Sequence, residues 1–292
     1  MLHNISLVEQ LDVANILGEG VIWDERNQTL YWTDIESSKF YSWGFSAGIH
    51  HYDCPERLCS FGLTEESDRF ICAFESGFAF FKPLSTEINW LSKVEKNLPH
   101  TRLNDGRVDR QGRFWAGSYV EGKGQQRGGL YRLEKDGQAT KIIHDVQIAN
   151  SLCWSPDGKI MYFADTATQI IQRADFNPGT GAVNNLSQLI TTNKGAYPDG
   201  SCIDSQGYLW NAQWGSAKVK RYDPQGQEVL SIDVPCKQPS CVSFGGPNLQ
   251  HLFVTSARKG LQQQVIEQQP GNGNLFIFAT PFSGIAESIC SL

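Results

Sequence analysis

Short apolar runs alternate with polar turns along almost the whole chain, and helical periodicity is scarce. The stretch "EGVIWDERNQTLYWTD" (19–34) aligns without a gap on "NSLCWSPDGKIMYFAD" (150–165), placing Trp23 on Trp154, Tyr31 on Tyr162 and Asp34 on Asp165. A third stretch, "SCVSFGGPNLQHLFVT" (240–255), aligns on both. A shorter-turn version occurs as "NDGRVDRQGRFWAG" (104–117) and "DGSCIDSQGYLWNA" (199–212), and a weaker sixth copy is "CSFGLTEESDRFICAF" (59–74). Each copy is a strand, a polar turn and a second strand, and copies begin roughly 40 to 50 residues apart, the spacing of propeller blades. The pattern predicts an all-β fold, a six-bladed β-propeller with four-stranded blades, in which the first strand of each blade lines a central channel. The segment 3–14 is expected to close the ring beside "NLFIFAT" (274–280). No linker or break in composition interrupts the repeats, so a single domain is expected over 1–292.

The repeat also orders the polar residues. Four positions before each copy's core apolar residue stand Glu19, Cys59, Asn104, Asn150, Asp199 and Ser240. Symmetry puts these six around one end of the channel. A carboxylate is almost never fully buried without a partner, because desolvating its charge is costly. Glu, Asn, Asn and Asp converging on one axis make an oxygen-rich site with two negative charges, which suits a hard divalent cation. A structural cation plugging the channel is the plainer alternative.

Composition narrows the classes. The net charge of −6 argues against a nucleic-acid partner, and no apolar run is long enough to span a membrane. The first residues, "MLHNISLVEQLD", lack the basic region of a signal peptide, so the expectation is a cytoplasmic chain whose eight cysteines stay reduced. Cys54/Cys59 and Cys236/Cys241 share a spacing that matches no zinc ribbon and read as small buried hydrophobes. None of the six histidines falls in the ring position. There is no G-x-S-x-G elbow, and no phosphate-binding loop of the right spacing. A propeller leaves few free sheet edges, which points to a monomer.

The segments "LGEGVIWD", "RLNDGRVDRQGRFWAGS", "NSLCWSPDGKIMYFADT" and "YPDGSCIDSQGYLWNAQWG" resemble the hallmark segments of the gluconolactonase/regucalcin family, also called the senescence marker protein family. The segment "SARKGL" (256–261) is similar to bacterial sugar-acid lactonases and departs from the animal members. The resemblance implies a six-bladed propeller that hydrolyses sugar lactones with one divalent metal ion. Ca²⁺ leads by ligand type, with Zn²⁺, Mn²⁺, Mg²⁺ and Fe²⁺ also able to bind such a set. It further implies Glu19, Asn150 and Asp199 as metal ligands and Arg102 and Asn104 as contacts to substrate hydroxyls and ring ester. Glu121 is implied as a substrate-contacting acid on the loop "EGKGQQRGG", read as a flexible hairpin over the active face. Asp105 stands behind the site, and Asp199 is the candidate general base. Substrates in this reading are aldonolactones such as xylono-, arabino-, galactono- or gluconolactone. Two other readings fit the same residues: a non-enzymatic calcium- or protein-binding propeller, and an esterase or phosphotriesterase on the same metal site.

Overall fold

The computed structural model describes residues 4–122 and 127–292. Six antiparallel sheets form in sequence order. Their innermost strands are Gly18–Asp24, Leu58–Thr64, Thr101–Val108, Ala149–Trp154, Tyr197–Ile203 and Pro239–Gly245, defining blades 1 to 6. These strands neighbour one another in that order, and the last returns to the first, so the sheets close a six-bladed propeller around a central axis. Blade 6 is completed by Ser6–Leu11, which pairs with Leu275–Ala279 in the expected place. The loop residues 123–126, on which the hairpin expectation falls, lie outside the described residues.

The blades are held by side chains packed between them rather than by shared strands. Trp23, Trp32, Phe253 and Ile277 fill the space between blades 1 and 6. Trp115, Trp154, Phe163 and Phe176 do the same between blades 3 and 4. Trp23 and Trp154, paired by the repeat, thus share one structural task. Burying aromatic groups of this size gives the largest apolar contribution available per residue. In the two short-turn copies the aspartate after the inner strand organises the turn. Asp109 Oδ2 accepts from Trp115 Nε1 at 3.0 Å, and Asp204 Oδ2 accepts from Trp210 Nε1 at 2.9 Å. All eight cysteines are free thiols, and seven are buried. Among the described residues no helix is long and apolar enough to cross a membrane.

After blade 6 the chain does not end at the rim. Ser283 and Gly284 touch blade 5 at Ser205 and Asp204. Glu287 then enters the far end of the channel and pairs with Arg107 of blade 3. Finally Ile289–Cys290 adds a parallel strand to Leu58–Thr64 of blade 2. This tail makes blade 2 five-stranded, a departure from the uniform four-stranded expectation.

Candidate active site

Each of the six inner strands carries a register shift beside its ring position. One extra residue is inserted, for example between Glu19 and Ile22 and between Asn150 and Cys153. A bulge of this kind bends the strand and re-aims a side chain out of the alternating pattern. The residue after the slot adopts a left-handed backbone at Gly20 (φ 61°) and at Ser151 (φ 60°). The sequence pattern located the slot but not the bulge that turns it.

Two aspartates aligned by the repeat fix how the chain enters these bulges. Asp34 accepts from the backbone N–H of Ile16 and of Leu17, both at 2.9 Å, two residues before Glu19. Asp165 accepts from Gln147 at 2.9 Å and Ile148 at 3.0 Å, two residues before Asn150. Asp199 is held by its own carbonyl, which accepts from Ser151 Oγ at 2.6 Å and from Asn211 Nδ2 at 3.0 Å.

Glu19, Asn104, Asn150 and Asp199 line one cavity of about 290 Å³, together with Arg102 and Thr166. Its walls are completed by Leu17, Tyr119, Ile148, Tyr197, Trp214 and Lys259. The other two ring positions do not face it. Cys59 packs against Leu17, Ile35 and Ala257, and Ser240 Oγ donates to the Gly18 carbonyl at 2.5 Å. A wider groove of about 500 Å³ lies beside blade 5, where Lys218 and Lys220 are already paired with Asp233 and Glu228. It offers no comparable set of converging oxygens.

An amide chain sets which atoms point into the cavity. Arg102 donates to Asn104 Oδ1 at 2.6 Å, and Asn104 Nδ2 donates to the Ala149 carbonyl at 2.9 Å and to Asn150 Oδ1 at 3.3 Å. Asn150 Nδ2 donates to Thr166 Oγ1 at 2.7 Å, which donates on to the Pro198 carbonyl at 2.8 Å. The donors of Asn150 are therefore turned away, and its oxygen is the atom presented. Both ends of the Asn104 amide are engaged, leaving it only a spare lone pair for a ligand.

The carboxylates are in an unusual state. Among the described residues neither Glu19 nor Asp199 forms an ion pair, and Glu19 accepts from the Gly20 N–H at 3.2 Å. Burial, then the charge of Asp105, pushes the Glu19 carboxyl up to about 8, against the pull of Gly20 and Arg102. Burial, then the charges of Glu19 and Asp105, holds Asp199 well above the ordinary carboxylate range. Asp105 is itself raised by burial, and its Oδ2 accepts from the Leu152 N–H at 2.9 Å. Three acids thus crowd one end of the channel, and like charges so placed cannot all ionise without a cation.

Glu19, Asp199 and the Asn150 oxygen form a donor set that fits a hard divalent ion: oxygen atoms only, two carboxylates, and no direct ion pair to a protein cation among the described residues. Among the described residues no three His, Cys, Asp or Glu side chains gather at metal-ligand spacing, so the set rests on two carboxylates and an amide. Arg102 is buried, not the surface ion-pair residue that its type would suggest. Trp214 stands in the cavity wall, whereas His144 is exposed on the outer strand Ala139–Val146. Glu121 is placed differently from a free substrate acid. Its carboxylate accepts both Arg57 Nη atoms at 2.8 and 2.9 Å and Arg102 Nε at 3.3 Å, and it is not part of the cavity wall. Arg57, Glu36 and Lys259, which surround it, had no signal in the repeat.

The family model for the SMP-30/gluconolactonase/LRE-like region matches residues 17–258, a span that holds Glu19, Arg102, Asn104, Glu121, Asn150 and Asp199 and ends one residue before Lys259. The chain belongs to this family. Among its relatives, the L-arabinolactonase of Azospirillum brasilense is 39% identical over 279 residues, covering 94% of this chain and 92% of that protein. The 6-deoxy-6-sulfogluconolactonase of Pseudomonas putida is 33% identical over 280 residues, covering 94% and 95%. In three dimensions the family resemblance extends to a calcium-binding protein, regucalcin, from Agrobacterium tumefaciens. Its structure matches with a TM-score of 0.92 at 28% identity, over 98% of both chains.

Proposed function

We propose that this protein hydrolyses sugar lactones to the free sugar acids in the Glu19/Asp199 cavity, with one divalent cation held by Glu19, Asn150 and Asp199. The observation that carries the reading is the pair of buried carboxylates without an ion pair that line one cavity with Asn150, Asn104 and Arg102. Its relatives include lactonases named for a pentose and for a sulfonated hexose acid. The class we assign is therefore aldonolactones such as arabino-, xylono-, galactono- and gluconolactone.

Bound there, a divalent cation supplies Lewis-acid polarisation of the ester carbonyl and lowers the pKa of water. The chain's own residues do the rest. Arg102, directed by Asn104 and Tyr119, donates to ring and exocyclic oxygens. Asn104 adds its remaining lone pair to a substrate hydroxyl. Trp214 and Tyr197 give the sugar an apolar wall. Asp199 accepts the proton of the attacking water. The oxygen of that water bonds to the carbonyl carbon, the bond from that carbon to the ring oxygen breaks, and Asp199 returns the proton to the ring oxygen, which leaves as a hydroxyl.

The test is lactone hydrolysis followed with a pH indicator, using EDTA-treated protein, a panel of metals and the four lactones, with spontaneous hydrolysis subtracted. Activity restored by a metal and abolished in Asp199→Ala supports the proposal. A second reading draws on the calcium-binding description of the regucalcin match. Folded protein that binds metal without turning over any lactone would favour that non-enzymatic role and overturn ours.

A further inference from the structure

Resting on the lactonase reading, we propose that Arg57 is a positioning residue that sets both cations facing the cavity, Arg102 and Lys259. Arg57 lies just before the inner strand of blade 2 and reaches no cavity wall itself. Its guanidinium is shared among three carboxylates. Nε donates to Glu75 at 2.6 Å, the two Nη atoms grip Glu121 at 2.8 and 2.9 Å, and Nη1 stands 3.7 Å from Glu36. Glu121 passes the contact to Arg102 at 3.3 Å, and Glu36 accepts from Lys259 at 2.5 Å. The ring of Tyr119 lies between the two outer cations, 4.7 Å from the Arg102 guanidinium and 5.8 Å from the Lys259 ammonium. The result is a closed circuit around the rim, Lys259–Glu36–Arg57–Glu121–Arg102–Tyr119.

With Glu75 beside the circuit the charges balance: Arg57, Arg102 and Lys259 face Glu36, Glu75 and Glu121. Bidentate arginine–carboxylate pairs fix direction as well as distance. With Glu121 gripped on two oxygens by Arg57, its contact to Arg102 is long and single, so the Arg102 Nη1 remains committed to Asn104 and the Leu103 carbonyl. Without Arg57, three carboxylates compete for two cations. Glu121 then closes on Arg102 and Glu36 on Lys259, drawing both away from the sugar. Lysine at position 57 restores the charge but not the fork.

Four variants test this: Arg57→Ala, Arg57→Lys, Glu121→Ala and the Arg57→Ala/Glu121→Ala pair. Arg102 and Lys259 grip the lactone in ground and transition states alike, so Arg57→Ala should raise KM roughly tenfold with kcat within about twofold, and Arg57→Lys should recover part of it. Because Arg57 acts on Arg102 through Glu121, the KM effects of the pair should not multiply. An unchanged KM in folded Arg57→Ala, or fully multiplying effects, overturns the inference. So does a loss of thermal stability alone. A crystal structure of Arg57→Ala tests the same point without a ligand: Arg102 and Lys259 should move towards Glu121 and Glu36, and unmoved side chains refute it. If the wild-type chain hydrolyses no lactone, the lactonase proposal fails while this structural arm still decides the role of Arg57.

Discussion

Replacing Asp199 with asparagine should reverse its effect on stability when a cation is added. In the metal-free chain Asp199 and Glu19 are buried together, and after burial itself the Glu19 charge is what most raises the proton affinity of Asp199. Removing the ionisable group at position 199 relieves this like-charge contact, so the metal-free variant should be the more stable of the two at about pH 8. For a chain of 292 residues, unfolding entropy near 2.1 cal/mol/K per residue makes 1 kcal/mol about 1.6 °C, and the metal-free variant should melt above wild type. A cation at a thousandfold excess over its Kd stabilises wild type by about 4 kcal/mol, or about 7 °C. The variant, with an amide in place of one carboxylate and so one negative charge fewer in its ligand set, should gain far less. Scanning calorimetry of both proteins in EDTA and in excess calcium reads the crossing directly. If the variant melts below wild type in both conditions, the carboxylates do not oppose one another as argued. If calcium raises both equally, Asp199 is not a ligand.

Glu19 predicts a pH signature in the metal-free chain. Its folded-state pKa is raised from an ordinary 4.5 to about 8, so the folded state binds more protons in that window, and stability is lost as pH rises through it. Denaturant unfolding of wild type against Glu19→Gln should show the difference shrinking towards pH 5, and a pH-independent difference would contradict this assignment. Asp165→Ala removes the acceptor of two backbone N–H groups and should cost about 2–4 kcal/mol by urea unfolding, with Asp165→Asn losing less. Arg107→Ala strands the buried Glu287, whose pKa Arg107 lowers against the opposing effect of burial. It should destabilise by about 3 kcal/mol, and Arg107→Met/Glu287→Leu should recover most of that loss. Equal losses in the single and double variants would show that packing, not the stranded charge, dominates.

The propeller was legible because a repeat is a long-range signal written locally. Gap-free copies fix turn position, and the closing strand Ser6–Leu11 falls within the segment 3–14 expected beside 274–280. The ring position was legible for the same reason, since symmetry alone brings Glu19, Asn104, Asn150 and Asp199 to one end of the axis. What symmetry cannot carry was missed. The bulge beside each slot depends on local backbone geometry at Gly20 and Ser151. Arg57, Glu36 and Lys259 come from connecting segments of three different blades, each with its own length, and nothing in the repeat aligns them. The link between Arg107 and Glu287 spans 180 positions and involves a tail that belongs to no copy. Asp105 was visible as a neighbour of Asn104, but its influence on Glu19 and Asp199 follows only from the depth at which all three are buried.

The tail also governs traffic. Glu287 and Arg107, with Arg110 and Phe244 around them, fill the far end of the channel, and the small space left there shares no wall residue with the catalytic cavity. A molecule entering beside Tyr197 and Lys259 thus meets a blind alley, and whatever it becomes must back out past the same side chains. On the proposed lactonase activity, occupancy by one molecule excludes the next, so the sugar acid competes with incoming lactone until it departs.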